Sequence, residues 1–166
     1  HGGIITGEDL ASYSAYEDAP IRTVYRGIDV FECPPNSQGI VMLEALNILE
    51  GFDLRSLGHN SAPYLHLVAE ALKLSFADRN TFIADPKFTP GMPVKELLSK
   101  EYAAGRRRAI DPNRAIVGEP APGNPRAAAR TVQLYGSPRA VPSAVTALDA
   151  DPLLHLTTYL AVVDED

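Results

Sequence analysis

Two adjacent threonines, Thr157 and Thr158, stand at the head of the stretch TTYLAVVDED, residues 157–166. After them Tyr159, Ala161 and Val163 alternate in position with Leu160, Val162 and Asp164, as the residues on the two faces of a β-strand do, so a strand is predicted. If the bond between Leu156 and Thr157 were cut, Thr157 would combine a hydroxyl nucleophile with its own α-amine, whose ordinary pKa of about 8 lets it accept the proton. The alternative is a structural threonine, because threonine is common in strands.

Two other groupings of polar side chains favour structural roles. His66 and Glu70 are four residues apart on a predicted helix, a spacing that suits a metal, but no third ligand stands nearby in the sequence. We interpret them as a polar pair on a helix face. Arg106, Arg107 and Arg108 fall near a predicted helix C-terminus, where the helix dipole favours cations, and they are expected to be a solvated helix end.

The loop PPNSQG and the cysteine before it also favour structural roles. The loop contains Ser37 but lacks the Gly-x-Ser-x-Gly elbow that presents a nucleophilic serine. Cys33 is the only cysteine in the sequence, so it has no partner for an internal disulfide, and a packed thiol is expected.

Composition restricts the class of protein. The 166 residues are 45% hydrophobic, enough for one domain with a single core. Lys and Arg number 15 against 21 Asp and Glu, and the net charge of −6 argues against nucleic acid as a partner. No run of about 18 apolar residues predicts a membrane span, and HGGIITGEDL has neither the basic nor the apolar region of a signal peptide.

The pattern along the chain predicts a mainly helical α+β segment with one short hairpin. A helix capped by Thr6 falls within residues 4–16, and two strands, 21–26 and 28–33, meet at Gly27. A broadly apolar helix follows the PPNSQG loop and stops at Gly51. The longest helix begins at an Asn60 or Ser61 cap and ends at Asp85-Pro86, and two short helices are predicted over 94–99 and 101–110.

The longest helix has an apolar stripe at helical spacing. Its members are Leu65, Val68, Ala69, Leu72, Phe76 and Phe82 or Ile83, whereas Glu70, Lys73 and Asp78 are expected mostly on other faces. The apolar surfaces of this helix and of the helix that stops at Gly51 are larger than the rest of this chain can cover. Association or poor solubility of the chain in isolation is therefore expected.

A connector is predicted after the helices. Seven of the fourteen prolines fall between residues 111 and 156, a span also rich in alanine and glycine. We predict three parts: residues 1–112, which contain the hairpin and the helices, a weakly ordered connector over 113–156, and a truncated strand over 157–166.

Six segments, in this order, resemble the γ-glutamyltranspeptidase family, including its cephalosporin acylase-like relatives. They are GGIITGEDLASY, YRGIDVFECPPNSQG, LEALNILEGFDL, HLVAEALKLSFADRNTFIADPKF, LLSKEYAAGRR and TTYLAVVDED. The likeness runs from residue 2 to about 112 and resumes at 157.

The resemblance implies an N-terminal nucleophile hydrolase with a layered αββα fold, made from a precursor that cuts itself just before a threonine. The chain then corresponds to the C-terminal part of the large subunit and the first strand of the small subunit. The family pattern Thr-Thr-His-x-Ser-Val-Val-Asp puts the nucleophile at Thr157 and the scissile bond at Leu156–Thr157. Thr157 would attack a γ-glutamyl amide such as glutathione, and the γ-glutamyl ester would pass to water or to an amino acid.

The resemblance also implies no metal and no organic cofactor. The expected partners are a γ-glutamyl substrate and the remainder of both subunits. The family's substrate-gripping arginine is expected upstream of residue 1 and its glycine oxyanion hole downstream of Asp166, so the 166-residue chain alone is expected to be inactive.

Two positions depart from the family pattern. Tyr159 replaces its histidine and Ala161 replaces its serine, which keeps a cephalosporin or glutaryl acylase-like amidase open as an alternative. A second alternative is a noncatalytic helical scaffold or degenerate homologue. The compartment is undetermined: relatives of the family suggest a periplasmic or extracellular location, and a cytoplasmic one remains open.

Overall fold

The computed structural model describes residues 3–15 and 17–127. It forms an α+β arrangement of two strands and five helices. In chain order these are α1 (Gly7–Ser12), β1 (Ile21–Tyr25), β2 (Ile28–Glu32), α2 (Gly39–Leu49), α3 (Ala62–Phe82), α4 (Val94–Leu97) and α5 (Lys100–Arg107). The predicted strand over 157–166 lies outside the described residues.

The hairpin forms where two β-rich runs meet at a two-residue turn. Strands β1 and β2 pair antiparallel, with Tyr25 opposite Ile28. Both turn residues have positive φ, 51° at Arg26 and 89° at Gly27, as a type I′ turn requires. A buried 2.7 Å hydrogen bond from the Thr23 hydroxyl to Asn47 fixes the hairpin to α2.

The predicted helices begin at the expected caps. Thr6 and Asp9 form a reciprocal capping box at α1, and the Ser61 hydroxyl accepts from the backbone amide of Tyr64 at α3. Helix α3 ends at Phe82, three residues before Asp85, and α5 ends at Arg107, short of the predicted Ile110.

The core lies between α2, α3 and α5. Eight buried residues form its larger cluster: Ala45, Ile48, Leu49, Leu67, Ala71, Leu74, Ala103 and Ile110. A second cluster of Ile40, Leu97 and Tyr102 joins α2 to α4 and α5. Burial of these side chains stabilises the segment by roughly 1.5–3 kcal/mol for each large aliphatic residue.

The predicted orientation of α3 is wrong. Its buried residues are Leu67, Glu70, Ala71, Leu74, Ser75, Ala77 and Asp78. Three members of the predicted stripe face outward instead, with Leu65 51%, Leu72 36% and Phe76 42% exposed. Val68, Phe82 and Ile83 are partly buried and pack against the core clusters. The reason is that α3 carries a second stripe, Leu67, Ala71 and Leu74, which packs in the core with α2 residues. The acidic side chains beside this stripe are paired with Lys73 and Arg106.

Candidate functional site

Leu156 and Thr157 lie outside the described residues, so their roles stay predictions. The structure does describe the chain that leads toward them, as far as Ala127. Residues 111–124, which we call the strap, follow α5 and run along α3. Contacts to the strap ascend along both segments, from His66 with the Asp111 carbonyl to Asp78 with the Gly123 amide. The strap therefore lies alongside α3 in the same direction.

His66 and Glu70 both contact the strap rather than forming an exposed pair. His66 Nε2 lies 2.8 Å from the Asp111 carbonyl oxygen. Glu70 is 1% exposed, pairs with Lys73 at 2.7 Å and accepts from the Ile116 amide at 2.9 Å. Burial raises the pKa of Glu70, but the Lys73 and Ile116 hydrogen bonds outweigh it and lower that pKa overall. Glu70 is therefore an ionised anchor for the strap.

Asp78 and Arg106 form a second acidic anchor in the interior. Asp78 is fully buried, and it accepts from the Tyr102 hydroxyl at 2.8 Å and from the Gly123 amide at 2.6 Å. Arg106 Nε lies 2.8 Å from Asp78 Oδ2, close enough for charge pairing although the N–H is not aligned for a hydrogen bond. Its terminal nitrogens donate to the carbonyls of Leu74 and Ala121. Asp78 thus has its charge compensated by a cation and by two donors.

The prediction of a solvated arginine run is wrong for two of its three members. The Arg106 side chain is only 10% exposed because it pairs with Asp78. Arg107 donates to the carbonyls of Ile48 at 2.7 Å and Asn47 at 3.1 Å, and so satisfies acceptors at the end of α2. Only Arg108 is exposed as predicted.

Glu44 faces the Asp78 anchor from α2. It is 1% exposed, and burial together with the hydrogen bond to Asp78 and repulsion from that carboxyl raises the pKa of Glu44 to about 10. Glu44 is therefore protonated at neutral pH and donates toward Asp78. The same surroundings raise the pKa of Tyr102, which stays a neutral donor.

A pH-dependent stability follows from Glu44. Its pKa in the folded chain lies above the unfolded value of 4.5, so the folded chain holds an extra proton between pH 4.5 and about 10 and loses stability as pH rises. Glu44→Gln imitates the protonated form, and we expect its stability advantage to grow with pH to about 3 kcal/mol at pH 7. Urea unfolding from pH 5 to 9 measures this.

The matched control for Glu44→Gln is Glu101→Gln, a change of the same chemistry at an exposed position. Its stability is expected to follow that of the unmodified chain across the pH range. Parallel pH profiles for Glu44→Gln and the unmodified chain would contradict an interior, protonated Glu44.

Ser37 and Cys33 have the positions of structural residues. The Ser37 hydroxyl donates to the Pro34 carbonyl at 2.9 Å and accepts from the Gly39 amide at 3.3 Å, so it closes the turn before α2. Cys33 is exposed, against the packed thiol expected from the sequence. The reason is that it follows the last residue of β2, where the chain turns toward Pro34.

Within residues 3–15 and 17–127, no three metal-binding side chains come together. Over the same residues, no helix has the length and apolar content needed to cross a membrane.

Sequence reasoning missed the interior role of the acidic residues on α3. Glu70, Leu74 and Asp78 repeat every four residues and lie on one face, and His66 extends the series by one turn. Two carboxylates on one face of a long, largely apolar helix were the sequence feature that could have indicated buried acidic residues. The partner that covers them, the strap, lies more than thirty residues away in sequence, and helix periodicity does not reveal it.

A sequence model described as gamma-glutamyltranspeptidase matches residues 1–166. The chain belongs to the gamma-glutamyltranspeptidase family. It is 44% identical over 119 residues to a "Glutathione hydrolase proenzyme" of Pseudomonas sp. strain A14, covering 71% of this chain and 20% of that protein. It is 46% identical over 116 residues to an "Acylase ACY 1 proenzyme" of Pseudomonas sp. strain SE83, covering 69% and 21%.

A solved member of the gamma-glutamyltranspeptidase family has a similar structure. The Helicobacter pylori gamma-glutamyltranspeptidase superposes with a TM-score of 0.65 at 36% identity, covering 70% of this chain and 33% of that one. The predicted family and the α+β class within the N-terminal nucleophile hydrolase fold are confirmed. The chain spans about a fifth of the length of the curated relatives it matches.

Proposed function

We propose that the chain is part of a self-processing γ-glutamyl hydrolase or transferase whose nucleophile is Thr157. The observation that carries the proposal is the family match over residues 1–166, which includes the Thr-Thr stretch. The word "proenzyme" in the names of two relatives supports a precursor that is cut. In this proposal residues 1–112 and the connector 113–156 belong to the large subunit, and residues 157–166 begin the small one.

In the proposed chemistry, Thr157 supplies both the nucleophile and the base. After cleavage, the Thr157 hydroxyl attacks the carbonyl of a γ-glutamyl amide while its α-amine takes the proton. The amine of the substrate leaves after receiving that proton, and the γ-glutamyl group remains as an ester on Thr157. Water or the amine of an amino acid then attacks the ester and restores the free hydroxyl.

The experiment that tests this function is mass analysis of the protein expressed from its complete reading frame. We expect two polypeptides, with the sequence TTYLAVV at the new N-terminus of one. A single uncut polypeptide, or a new N-terminus elsewhere, would refute the proposal. The 166-residue chain by itself is expected to remain one species of 17.9 kDa.

A second candidate is an acylase that removes a glutaryl-like group. The 46% identity to an acylase ACY 1 proenzyme favours it, together with Tyr159 in place of the family histidine. Comparison of kcat/KM for γ-glutamyl and glutaryl anilides separates the two, since they differ by the α-amino group. Preference for the glutaryl anilide by tenfold or more would assign the acylase function.

We further propose that the rest of the two subunits covers an apolar groove between α2 and α3. Val41, Met42, Ala45, Leu46, Leu49, Val68, Leu72 and Phe76 line the groove, with Gln38 at its end. Most residues of a family member lie outside this chain, which supports their covering it. An apolar layer is required, because the lining has almost no hydrogen-bonding groups.

The uncovered groove predicts association of the 166-residue chain. We expect self-association by light scattering and binding of an apolar dye, and the double variant Leu72→Gln/Phe76→Gln should lower the dye signal at least twofold. Phe88→Gln is the control, because Phe88 is 84% exposed and lies outside the groove. A monodisperse monomer without dye binding would contradict the prediction.

A further inference from the structure

Two acid–cation pairs hold the backbone of the strap in the same way. In the first, which we call the first grip, Glu70 accepts from the Ile116 amide at 2.9 Å and Lys73 donates to the Ile116 carbonyl at 3.0 Å. In the second grip, Asp78 accepts from the Gly123 amide at 2.6 Å and Arg106 donates to the Ala121 carbonyl at 3.2 Å. Each grip therefore satisfies one strap N–H and one strap C=O.

The two grips fix the register of the strap. Their carboxylates stand eight residues apart on α3, and the strap amides they hold are seven residues apart. Both carboxylates are buried, at 1% for Glu70 and 0% for Asp78, so a strap shifted by one residue would leave them without these amide donors. Gly123 adds a steric requirement, since a Cβ there would overlap the Tyr102 hydroxyl.

The strap includes the first residues of the connector, which was predicted over 113–156 and leads to the Leu156–Thr157 bond. The second grip holds the connector at Gly123, and Leu156 lies 33 positions further along the chain. We propose that the two grips are positioning elements for cleavage of the Leu156–Thr157 bond, because they set the point and direction from which the connector leaves the helices. The inference rests on the proposed self-processing function.

The number of residues between the helices and the Leu156–Thr157 bond has by itself only a small effect on the rate of cleavage. If the strap came loose, the connector would start at Ile110, 46 residues from Leu156. For a flexible chain this lowers the local concentration of the bond by only about 1.6-fold. If a variant slows cleavage by much more than this factor, the cause is therefore a change in where the connector leaves the helices, and not a change in its length.

The test is the rate of self-cleavage of the complete precursor. We expect Glu70→Ala to slow cleavage fivefold or more and Glu70→Gln, which keeps an acceptor for the Ile116 amide, to give an intermediate rate. Gly123→Ala disturbs the second grip without changing a charged group and should slow cleavage comparably. Glu119→Gln, an exposed strap carboxylate, is the control and should cleave at the unmodified rate. Slowing of less than fivefold in both Glu70→Ala and Gly123→Ala would overturn the proposal.

A second measurement separates positioning from general damage to the fold. Each variant is also produced as two polypeptides, one ending at Leu156 and one beginning at Thr157 after removal of the initiating methionine. Because these forms need no cleavage, their hydrolysis of a γ-glutamyl anilide should match the unmodified pair within twofold. If a variant loses hydrolysis as a pair of polypeptides to the same extent as it loses self-cleavage as a precursor, the grips have a purely structural role and the inference is overturned.

The outcomes also separate this inference from the function on which it rests. If the unmodified precursor is not cut at Leu156–Thr157, both fail. If the unmodified precursor is cut and the grip variants are cut at the same rate, the proposed function stands and only the positioning role is lost. Hydrogen exchange at the Ile116 amide, expected to rise at least tenfold in Glu70→Ala, shows independently that the first grip has been released.

Discussion

Thr157→Ala in the complete protein is expected to abolish self-cleavage and to lower γ-glutamyl anilide hydrolysis by about 1,000-fold or more. In the proposed mechanism one residue supplies both the hydroxyl that attacks and the α-amine that accepts the proton, and no second group replaces the hydroxyl. Thr157→Ser keeps the hydroxyl, so it should still cut itself and retain measurable activity. The fraction cleaved on a denaturing gel and the initial rate of anilide release measure both effects.

The neighbouring Thr158 is the matched control. It has the same side chain one residue further along, but the proposed cut does not make it N-terminal, so Thr158→Ala should still be cleaved. Cleavage that survives Thr157→Ala but is lost in Thr158→Ala would move the nucleophile by one residue. Cleavage that survives in both variants would exclude a threonine of this pair as the processing nucleophile.

Arg106→Leu is expected to destabilise the described segment by about 3–5 kcal/mol, the range for breaking a buried ion pair by removing one partner. The change leaves the Asp78 carboxylate in the interior with two hydrogen-bond donors but without its cation, next to protonated Glu44. It also removes the donors to the Leu74 and Ala121 carbonyls. Urea unfolding of the 166-residue chain measures the loss, which is large beside an ordinary domain stability of about 5–15 kcal/mol.

The neighbouring Arg108 provides the control for the Arg106→Leu experiment. Arg108 is exposed, and Arg108→Leu should change the unfolding free energy by no more than about 0.5 kcal/mol. Asp78→Asn combined with Arg106→Leu removes the uncompensated charge, so the double variant should be more stable than Arg106→Leu alone. Equal losses in the Arg106 and Arg108 variants would show that the buried pair does not stabilise the fold.

Local chemistry accounts for the features that were predicted correctly. Thr6 and Ser61 cap their helices because each hydroxyl accepts from the amide three residues ahead, a contact that depends on neighbouring residues alone. The hairpin at Gly27 forms because glycine adopts positive φ without steric cost. The family resemblance was recognisable for a related reason, since it depends on the order of short segments.

The orientation of α3 could not be predicted from its sequence. The helix has apolar residues around most of its circumference, so two stripes compete for the core and helical periodicity alone does not choose between them. The stripe ending in Leu74 is buried because it packs against α2, while the stripe containing Phe76 lines the outer groove.

The sequence by itself determined where the capped helices begin, where the hairpin turns, the family, and the threonine proposed as nucleophile. These depend on caps, turns and ordered motifs, which are properties of residues close together in the chain. Only the tertiary structure decided that Glu70, Asp78 and Arg106 are buried partners of the strap. A charged side chain enters the interior only where distant segments supply its counter-charge and hydrogen bonds, and folding alone brings those segments together.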